Sequence, residues 1–275
     1  MMAWLLGCRG STPAPGPATV RYGGHTSAIA LATDDGPPTL LLDAGTGLAN
    51  LPGLVGPEGF RGALLLTHLH WDHTHGLPFS PATDHPKAAV DCFLPAQDAP
   101  AAEVLAQAMS PPHFPIGPEG LRGAWTFSGL EEGVVEAGGF EVLAREIPHK
   151  GGRTYGYRVT GPDGRSLAYL PDHMPTANGL GETGYGTLHE AAATLAQGVD
   201  VLVHDAQYTT EELPSLHTFG HAAIDYAVML SRVAGVGRLL AFHHAPSRTD
   251  DELDRLAERF AGAATFAREG AELAL

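Results

Sequence analysis

The segment at positions 67–73 reads THLHWDH and contains three histidines and one aspartate directly after the apolar run ALLL. In an extended chain the side chains of residues i and i+2 lie on the same side, so His68 and His70 can bind one ion. Asp72 and His73 follow where the chain must turn, and they can point toward a second ion beside the first. Imidazole nitrogen and carboxylate oxygen suit zinc, and they also suit manganese or iron.

Four side chains do not complete two metal sites, and three later segments supply further candidates. His149 closely follows the apolar run FEVLAREI, Asp172 follows SLAYLP, and His243 and His244 follow RLLAF. Each candidate comes after a predicted strand. This arrangement is expected when several strands deliver metal ligands to one edge of a sheet.

These motifs resemble those of the metallo-β-lactamase superfamily. THLHWDH is similar to the HxHxDH signature of that superfamily, and His149, Asp172 and His243 match its later ligand positions in order. The segments GCRGSTPAPGPATVRYGGHTS and LLLDAGTGL further resemble the hydrolase branch related to ribonuclease Z and the cyclic-nucleotide phosphodiesterases. The resemblance covers almost the whole chain.

The resemblance implies an α/β fold, a four-layer αββα sandwich with a di-metal site at one edge of the sheets, formed by residues 1–275 as one domain. It also implies two groups of ligands joined by a bridging aspartate, Asp172: His68, His70 and His149 for the first ion, and Asp72, His73 and His243 for the second. An aspartate at the bridging position favours phosphodiesterase-type hydrolases, because true metallo-β-lactamases typically carry a cysteine there. His244 stays open as the last ligand in place of His243.

Two further residues are expected to support the ligands. Asp43 ends the predicted strand TLLLD near the same edge, and the matching aspartate of the superfamily usually supports a ligand instead of binding metal. A carboxylate in such a place can orient a ligand histidine through its second ring nitrogen. His75, two residues after His73, is the second candidate for this supporting role.

Two ions can share a water molecule, lower its pKa toward neutrality and stabilise an in-line displacement at phosphorus. The leaving group then needs a proton from a general acid. His221 in FGHAAIDYAV resembles the proton-transfer histidine of the ribonuclease Z branch, although Ala222 and Ala223 replace its serine and threonine. Asp205, at the end of VLVHD, is a candidate to orient His221. The candidate catalytic residues are therefore Asp72, His221 and Asp205, with helix capping as the alternative role of His221.

Four cations are candidates for binding an anionic substrate. Lys150 and Arg153 flank His149, whereas Arg9 and Arg21 lie in the N-terminal loop region. Solvated surface charge is the alternative interpretation for each of them.

Short apolar runs bounded by Gly, Pro and Asp predict strands at 3–6, 27–32, 39–43, 63–67 and 88–94, then a hairpin turning at Gly138-Gly139, then four more strands. Helical periodicity is weaker and predicts helices at about 98–109, 187–197, 221–234 and 250–261. Helices between the late strands predict sheets covered by helices. The Gly-rich and Thr-rich stretch at 174–187 is predicted to be a long surface loop near the site.

The charge balance excludes some classes of substrate. Acidic residues outnumber basic ones by 31 to 16, for a formal net charge of -15, whereas binding to extended nucleic acid normally needs a basic surface. The two cysteines, Cys8 and Cys92, are far apart in sequence and are expected to be reduced. The N-terminus shows no basic leader, and no apolar run approaches the ~20 residues that span a bilayer. We therefore expect a cytoplasmic protein without a membrane partner, and leave a homodimer open.

These observations favour a metal-dependent hydrolase of a small, anionic phosphodiester, such as a cyclic nucleotide. Its cofactors would be two divalent metal ions, zinc in the first place and manganese or iron as alternatives. Three alternatives remain open at this point: a lactone, thioester or β-lactam hydrolase on the same site, a ribonuclease Z-like RNA endonuclease, and a non-enzymatic member that uses the metals for sensing.

Overall fold

The structure is a computed structural model that describes residues 1–275. It contains fourteen strands: β1 (Met2–Gly7), β2 (Ala28–Ala32), β3 (Leu40–Leu42), β4 (Arg61–Leu65), β5 (Ala89–Pro95), β6 (Ala124–Leu130), β7 (Gly133–Ala137), β8 (Phe140–Glu146), β9 (Tyr155–Thr160), β10 (Ser166–Leu170), β11 (Val201–Asp205), β12 (Arg238–Phe242), β13 (Thr265–Phe266) and β14 (Glu272–Ala274). Seven α-helices accompany them: α1 (Pro52–Val55), α2 (Trp71–Thr74), α3 (Ala101–Ala106), α4 (Glu190–Ala196), α5 (Leu213–Leu216), α6 (Ile224–Val233) and α7 (Asp250–Arg259).

The strands form two seven-stranded mixed sheets. The first sheet has the order β14-β1-β2-β3-β4-β5-β6, and the second has the order β13-β12-β11-β10-β9-β8-β7. Strands β3 to β6 run parallel to one another, as do β10 to β13. The carboxyl ends of parallel strands therefore meet at a common edge within each sheet.

Three apolar clusters hold four layers together. The central cluster joins the facing sides of the two sheets, with Ile29 and Leu42 from the first and Tyr157 and Phe242 from the second. A second cluster packs α4, α6 and α7 on the outer face of the second sheet, and a third packs α1 and α3 on the outer face of the first. This is the predicted αββα sandwich, and the fold class is confirmed.

Coverage on both faces explains the sequence of the central strands. β2, β3, β10 and β11 are buried at every position, because each lies between the central cluster and an outer helical layer. Such strands show continuous apolar runs in the sequence, which is why they could be predicted. At the hairpin between β7 and β8, Gly138 and Gly139 have φ values of 60° and 86°, a left-handed conformation that glycine adopts without strain.

Several predicted elements differ from the structure. The helices are shorter than predicted, since predicted helix 98–109 is α3 at Ala101–Ala106 and predicted helix 187–197 is α4 at Glu190–Ala196. Residues expected to form only a turn after His70 begin the helical turn α2. The strands β6, β13 and β14 were not predicted, because β6 alternates exposed and half-buried positions and the other two have at most three residues. No helix has the length and apolarity needed to cross a bilayer.

Candidate metal centre

Five polar side chains occur immediately after, or at the end of, neighbouring strands. Asp43 follows β3, His68 follows β4 by three residues, and Asp172 follows β10 by two. Asp205 ends β11, and His243 directly follows β12. The carboxyl ends of parallel strands form the usual binding crevice of open α/β sheets, and the two sheets here bring their crevices together.

The first group of candidate ligands contains His68, His70, His149 and one oxygen of Asp172. His149 Nε2 lies 3.3 Å from His70 Nδ1 and 3.4 Å from Asp172 Oδ2. His68 Nε2 lies 3.8 Å from the same carboxylate oxygen. Three imidazole nitrogens and one carboxylate oxygen thus face a common point, a donor set that suits zinc.

The second group contains Asp72, His73 and His243, and it lies against the other oxygen of Asp172. His73 Nε2 and His243 Nε2 are 3.3 Å and 3.2 Å from Asp72 Oδ2. The same two nitrogens are 2.9 Å and 3.1 Å from Asp172 Oδ1. The two oxygens of Asp172 therefore face different groups, which is the geometry required of a bridging carboxylate.

A buried hydrogen-bond network centred on Asp43 fixes the ring of His73. The Nδ1–H of His73 donates to Asp43 Oδ2 at 2.7 Å, and the hydroxyl of Tyr169 donates to the same oxygen at 2.9 Å. The backbone N–H of Thr67 donates to Asp43 Oδ1 at 2.7 Å. Because Nδ1 of His73 carries the proton, its Nε2 presents a lone pair to the second group.

Two other candidate ligand histidines are oriented in the same way. The Nδ1–H of His149 donates to the carbonyl oxygen of Gly220 at 2.7 Å, and the Nδ1–H of His68 donates to Thr67 Oγ1 at 3.1 Å. The Thr67 hydroxyl in turn donates to Asp43, which fixes its own direction. Both ligand rings therefore direct an unprotonated Nε2 toward Asp172.

Several buried polar atoms of these groups have no hydrogen-bond partner, namely Nε2 of His68, Nε2 of His73 and Oδ1 of Asp172. With Nδ1 of His73 donating to Asp43, its Nε2 and Asp172 Oδ1 face each other at 2.9 Å. The two lone pairs repel at this distance unless a proton or a metal cation lies between or beside them. The donor set therefore fits a metal ion at each group.

The electrostatics of the centre also favour bound cations. The carboxylates of Asp43, Asp72, Asp172 and Asp205 are buried, and none of them forms an ion pair with a lysine or arginine. Burial acts to lower the pKa of His73, yet the surrounding carboxylates raise that pKa well above its usual value. Burial and the neighbouring His73 hold the pKa of His68 well below its usual value, so that this ring is neutral and able to coordinate a metal.

Outside the two groups, His221 and Asp205 form a hydrogen-bonded pair. The Nδ1–H of His221 donates to Asp205 Oδ2 at 3.0 Å, and His221 also lines the open cleft beside Asp172. Burial acts to lower the pKa of His221, but the carboxylates of Asp205, Asp172 and Asp72 outweigh burial and raise it. A protonated imidazole at the cleft wall can donate a proton from Nε2.

Behind Asp172 lies a row of three histidines that was not predicted. Nδ1–H of His204 donates to the carbonyl oxygen of Asp205, and Nε2 of His204 accepts from Nδ1–H of His173 at 3.0 Å. Nε2 of His173 accepts from Nδ1–H of His189 at 2.9 Å. The sequence spacing of these histidines gave no signal, because the sheet brings together residues from three separate segments.

The last candidate ligand, His243, has an unusual backbone conformation. His243 has φ 60°, as does Asp43, and both values lie in the left-handed region that non-glycine residues rarely adopt. This conformation directs the His243 ring into the second group, where a side chain on the neighbouring Gly10 would collide with it. His244 instead donates its Nε2–H to the carbonyl oxygen of Ala267, and burial lowers the pKa of its ring to about 3.

In the structure, the side chains of Arg9, Arg21 and His75 make contacts other than the predicted ones with substrate or ligands. Arg9 is fully buried, and its guanidinium donates to the carbonyl oxygens of Gly23, Ala245 and Arg248, so it is a structural residue. Arg21 pairs with Asp251 and Asp254 of α7 on the surface. His75 stacks on Trp71 and contacts no candidate ligand through its ring, because the helical turn α2 directs it away from the metal groups.

The other two predicted cations lie beside the first group. Lys150 and Arg153 line a small polar cavity of about 100 Å³ together with His68 and His70. Arg153 donates to the carbonyl oxygen of Ala96 and pairs with Glu131 and Glu146, whereas the Lys150 ammonium has no carboxylate partner. Of the two, only Lys150 is free of carboxylate partners that would compete with a substrate anion.

A family model described as a beta-lactamase superfamily domain matches residues 39–244, which is most of the chain. The chain belongs to this superfamily. This match confirms the predicted superfamily, whose members are hydrolases with histidine and aspartate metal clusters.

Within the β-lactamase superfamily, the chain is similar to ribonuclease BN of Escherichia coli (strain K12), with 30% identity over 171 residues. That alignment covers 62% of this chain and 46% of the ribonuclease, so the chain spans about half the length of this curated relative. The likeness to the ribonuclease Z branch expected from the sequence is thereby confirmed.

Two solved structures share the fold over nearly the full length. The metallo-β-lactamase fold protein YhfI from Bacillus subtilis has a TM-score of 0.73 at 19% identity, with 99% of each chain covered. A diphosphatase from the PhnP family has a TM-score of 0.72 at 18% identity, covering 100% of this chain and 97% of the other. At these identities the two likenesses show the fold alone.

Proposed function

We propose that this protein is a phosphodiesterase that hydrolyses a small anionic phosphodiester with two divalent metal ions. Zinc is the proposed metal on the basis of the histidine-rich first group, with manganese or iron as alternatives. His68, His70 and His149 would hold the first ion, and Asp72, His73 and His243 the second. Asp172 would contribute one oxygen to each.

The observation that carries this proposal is the position of the His221–Asp205 pair. Its imidazole lines the same cleft as Asp172, with Nδ1 3.6 Å from the bridging carboxylate. Asp205 is saturated, since Oδ2 also accepts from the backbone N–H of His173 and Oδ1 accepts from that of Gln207. Held by these hydrogen bonds, Asp205 keeps the proton of His221 Nδ1 in place and orients the ring toward the cleft.

Hydrolysis of a phosphodiester replaces a P–O bond to an alcohol by a P–O bond to water, and the departing alkoxide must gain a proton. Bound divalent ions would activate the water and stabilise the negative charge that develops on the phosphoryl oxygens. His221 would supply the proton to the leaving oxygen from Nε2. Lys150, whose ammonium has no carboxylate partner, would bind a free phosphoryl oxygen from the side of the polar cavity.

The shape of the cleft supports a small substrate. The cleft beside the metal groups has a volume of about 360 Å³, within the usual range of pockets for small molecules. The net charge of -15 opposes binding of a long polyanion away from the metal centre.

An RNA endonuclease is the second candidate, and it rests on the similarity to ribonuclease BN. A third class, the hydrolysis of lactones, thioesters or β-lactams, would use the same metal centre. These classes differ in the charge of the group that is attacked and in the size of the substrate. A single substrate panel can therefore separate them.

The panel would offer metal-loaded protein bis-p-nitrophenyl phosphate, cyclic nucleotides, an unprocessed transfer RNA, a homoserine lactone, a lactoyl thioester and a chromogenic cephalosporin. We expect turnover of the small phosphodiesters. Turnover confined to the lactone, thioester or cephalosporin would refute a phosphodiesterase, and cleavage of RNA alone would favour the endonuclease. Elemental analysis of the active protein would identify the metal and count the ions per chain.

A substitution at His221 tests the proton donor. His221→Ala is expected to lower turnover of a cyclic nucleotide by on the order of 10²–10⁴-fold while both ions stay bound. The loss should be much smaller for bis-p-nitrophenyl phosphate, because nitrophenolate leaves without a proton. His85→Ala, a histidine remote from the cleft, is the matched control.

His221 also lies close enough to Asp172 and His243 to serve as a metal ligand instead. In that case His221→Ala would lower the metal content and would slow both substrates to the same extent. Elemental analysis of the variant therefore distinguishes an acid from a ligand.

A further inference from the structure

An apolar pocket lies beside the cleft that contains the metal groups. Its volume is about 300 Å³, and nine of its thirteen lining residues are hydrophobic. One wall comes from the residues that follow the metal-binding segment, including Leu77 and Phe79, and the opposite wall comes from α3 and the chain after it, including Leu105 and Met109. The proposed metal chemistry uses none of these side chains.

Two residues connect this apolar pocket to the cleft. Leu69 and Trp71 line both of them, and they alternate in sequence with the candidate ligands His70 and Asp72. A molecule bound at the metal groups can therefore extend along Leu69 and Trp71 into the apolar pocket. The pocket and the cleft form one continuous binding surface.

The exposed tryptophan and phenylalanine side chains lie at this surface, whereas the other exposed large apolar side chains are aliphatic and lie elsewhere. Trp71, Phe79 and Phe219 have exposed fractions of 67%, 69% and 59%, and all three line the apolar pocket or the adjoining cleft. Solvent exposure of such large side chains is unfavourable unless a ligand covers them, and contiguous exposed apolar surface commonly marks a binding site.

The chemistry of the lining restricts what can bind. No aspartate, glutamate, lysine or arginine lines the apolar pocket, and its polar residues are Thr74, His75 and His113. Burying a charge there would be costly, whereas an uncharged ring or alkyl chain would gain from leaving water. A cavity of ~150 Å³ accommodates benzene, so about twice that volume accommodates a substituted ring or a medium-length chain.

We propose that the substrate carries an uncharged aryl or alkyl substituent, and that this substituent binds in the apolar pocket while its phosphoryl group lies at the metal groups. This inference rests on the proposed function for the phosphoryl group. It narrows the substrate class to phosphodiesters with an apolar ester group. It also predicts that substrate specificity depends on side chains outside the metal groups, such as Trp71 on α2 and Leu105 on α3.

Binding of phosphonates to metal-loaded protein tests the proposal without requiring turnover. Methylphosphonate, benzylphosphonate and hexylphosphonate share one anionic head group and differ only in apolar surface. Isothermal titration calorimetry should show benzylphosphonate and hexylphosphonate binding tighter than methylphosphonate by on the order of tenfold or more. Equal affinities for the three compounds would overturn the proposal.

Ala108 offers a variant that fills the apolar pocket without disturbing the core, because it lines the pocket and is exposed to solvent. Ala108→Trp should abolish the preference for the apolar phosphonates and leave the affinity for methylphosphonate unchanged. Ala102→Trp is the matched control, since Ala102 is exposed on α3, the helix that precedes Ala108, and does not line the pocket. A preserved preference in Ala108→Trp would exclude this pocket as the binding site.

The outcomes also separate the pocket from the reaction. If benzylphosphonate binds preferentially but no phosphodiester is turned over, the apolar pocket is supported as a binding site and the phosphodiesterase activity is refuted. If phosphodiesters are turned over but the three phosphonates bind equally, the activity is supported and the role of the apolar pocket is refuted. If Ala108→Trp changes the molecular mass measured by light scattering but not the phosphonate affinities, the surface is an interface between copies of the chain, and the proposal fails.

Discussion

Replacing Asp43 by asparagine should impair one metal group and leave the other intact. Asp43 Oδ1 accepts from the backbone N–H of Thr67, whereas Oδ2 accepts from Nδ1–H of His73 and from the hydroxyl of Tyr169. The backbone N–H cannot change its role, so the amide oxygen of an asparagine would face Thr67. The amide nitrogen would then face His73 and Tyr169 with its own hydrogens.

Two donors cannot face each other, so the ring of His73 must move its proton from Nδ1 to Nε2. The proton then occupies the lone pair that points toward Asp72 and Asp172. Loss of such a supporting contact typically lowers metal affinity by about 10–100-fold, or roughly 1.4–2.8 kcal/mol. The first group is linked to Asp43 only through His68, whose Nδ1–H donates to the Thr67 hydroxyl. That hydroxyl can still donate to the amide oxygen of the asparagine, so the affinity of the first group should stay close to that of the unmodified protein.

A competition titration against a chromogenic chelator measures both affinities. We expect Asp43→Asn to bind the first ion normally and the second ion 10–100-fold more weakly. Asp91→Asn is the control, since Asp91 is exposed on β5 and accepts a hydrogen bond only from Thr126. Thermal unfolding of the metal-free proteins would report the separate cost of the altered hydrogen bonds, about 1–3 kcal/mol.

Equal weakening of both ions by Asp43→Asn would refute this reasoning, because it would show that the whole centre is distorted. Unchanged affinity for the second ion would refute it as well, since the tautomer of His73 would then be irrelevant to metal binding.

Two further predictions concern stability away from the site. His25 donates to Glu269 at 2.7 Å, and this hydrogen bond raises the pKa of His25. Burial acts to raise the pKa of Glu269, but the hydrogen bond from His25 outweighs burial and lowers it. The pair therefore stabilises the fold between about pH 4.5 and 6.5, and this contribution is lost as the pH rises through the raised pKa of His25. Urea unfolding should therefore show that His25→Gln lowers the free energy of unfolding more near pH 6 than near pH 9. The difference should be less than about 1 kcal/mol, because the pair is partly exposed. An equal loss at both pH values would contradict this prediction. Thr249 caps α7 in a reciprocal capping box with Glu252, and Thr249→Ala should lower the free energy of unfolding by about 1 kcal/mol, whereas the exposed Thr126→Ala should have little effect. A cost for Thr249→Ala no larger than that for Thr126→Ala would show that the cap does not stabilise the helix.

The fold could be predicted from the sequence where strands are buried on both faces. Runs such as ALLL before Thr67 and VLV before His204 are continuous and apolar, and candidate site residues soon after such runs predicted a common edge. β6 was not predicted because it lies at one edge of its sheet and its residues alternate between exposed and half-buried. β14 was not predicted because it has only three residues and pairs with a single strand, β1.

The candidate site could be predicted where spacing along the chain determines geometry, as at His68 and His70. It could not be predicted where partners come from distant segments. The row from His204 through His173 to His189 depends on the parallel pairing of β10 with β11, which no local spacing encodes. The burial of Arg9 was equally hard to predict, because the carbonyl groups that accept from its guanidinium come from two loops far apart in sequence, one with Gly23 and one with Ala245 and Arg248.

The left-handed backbone at His243 has a consequence for how the protein can change over evolutionary time. A non-glycine residue in this conformation costs on the order of 1 kcal/mol, and glycine would relieve that cost. Backbone strain alone would therefore favour glycine at this position, and selection for the imidazole must outweigh it. In a lineage that lost the reaction, this selection would end and only the buried packing of the ring would still favour histidine, so we expect His243 to vary there sooner than the strain-free residues of the core.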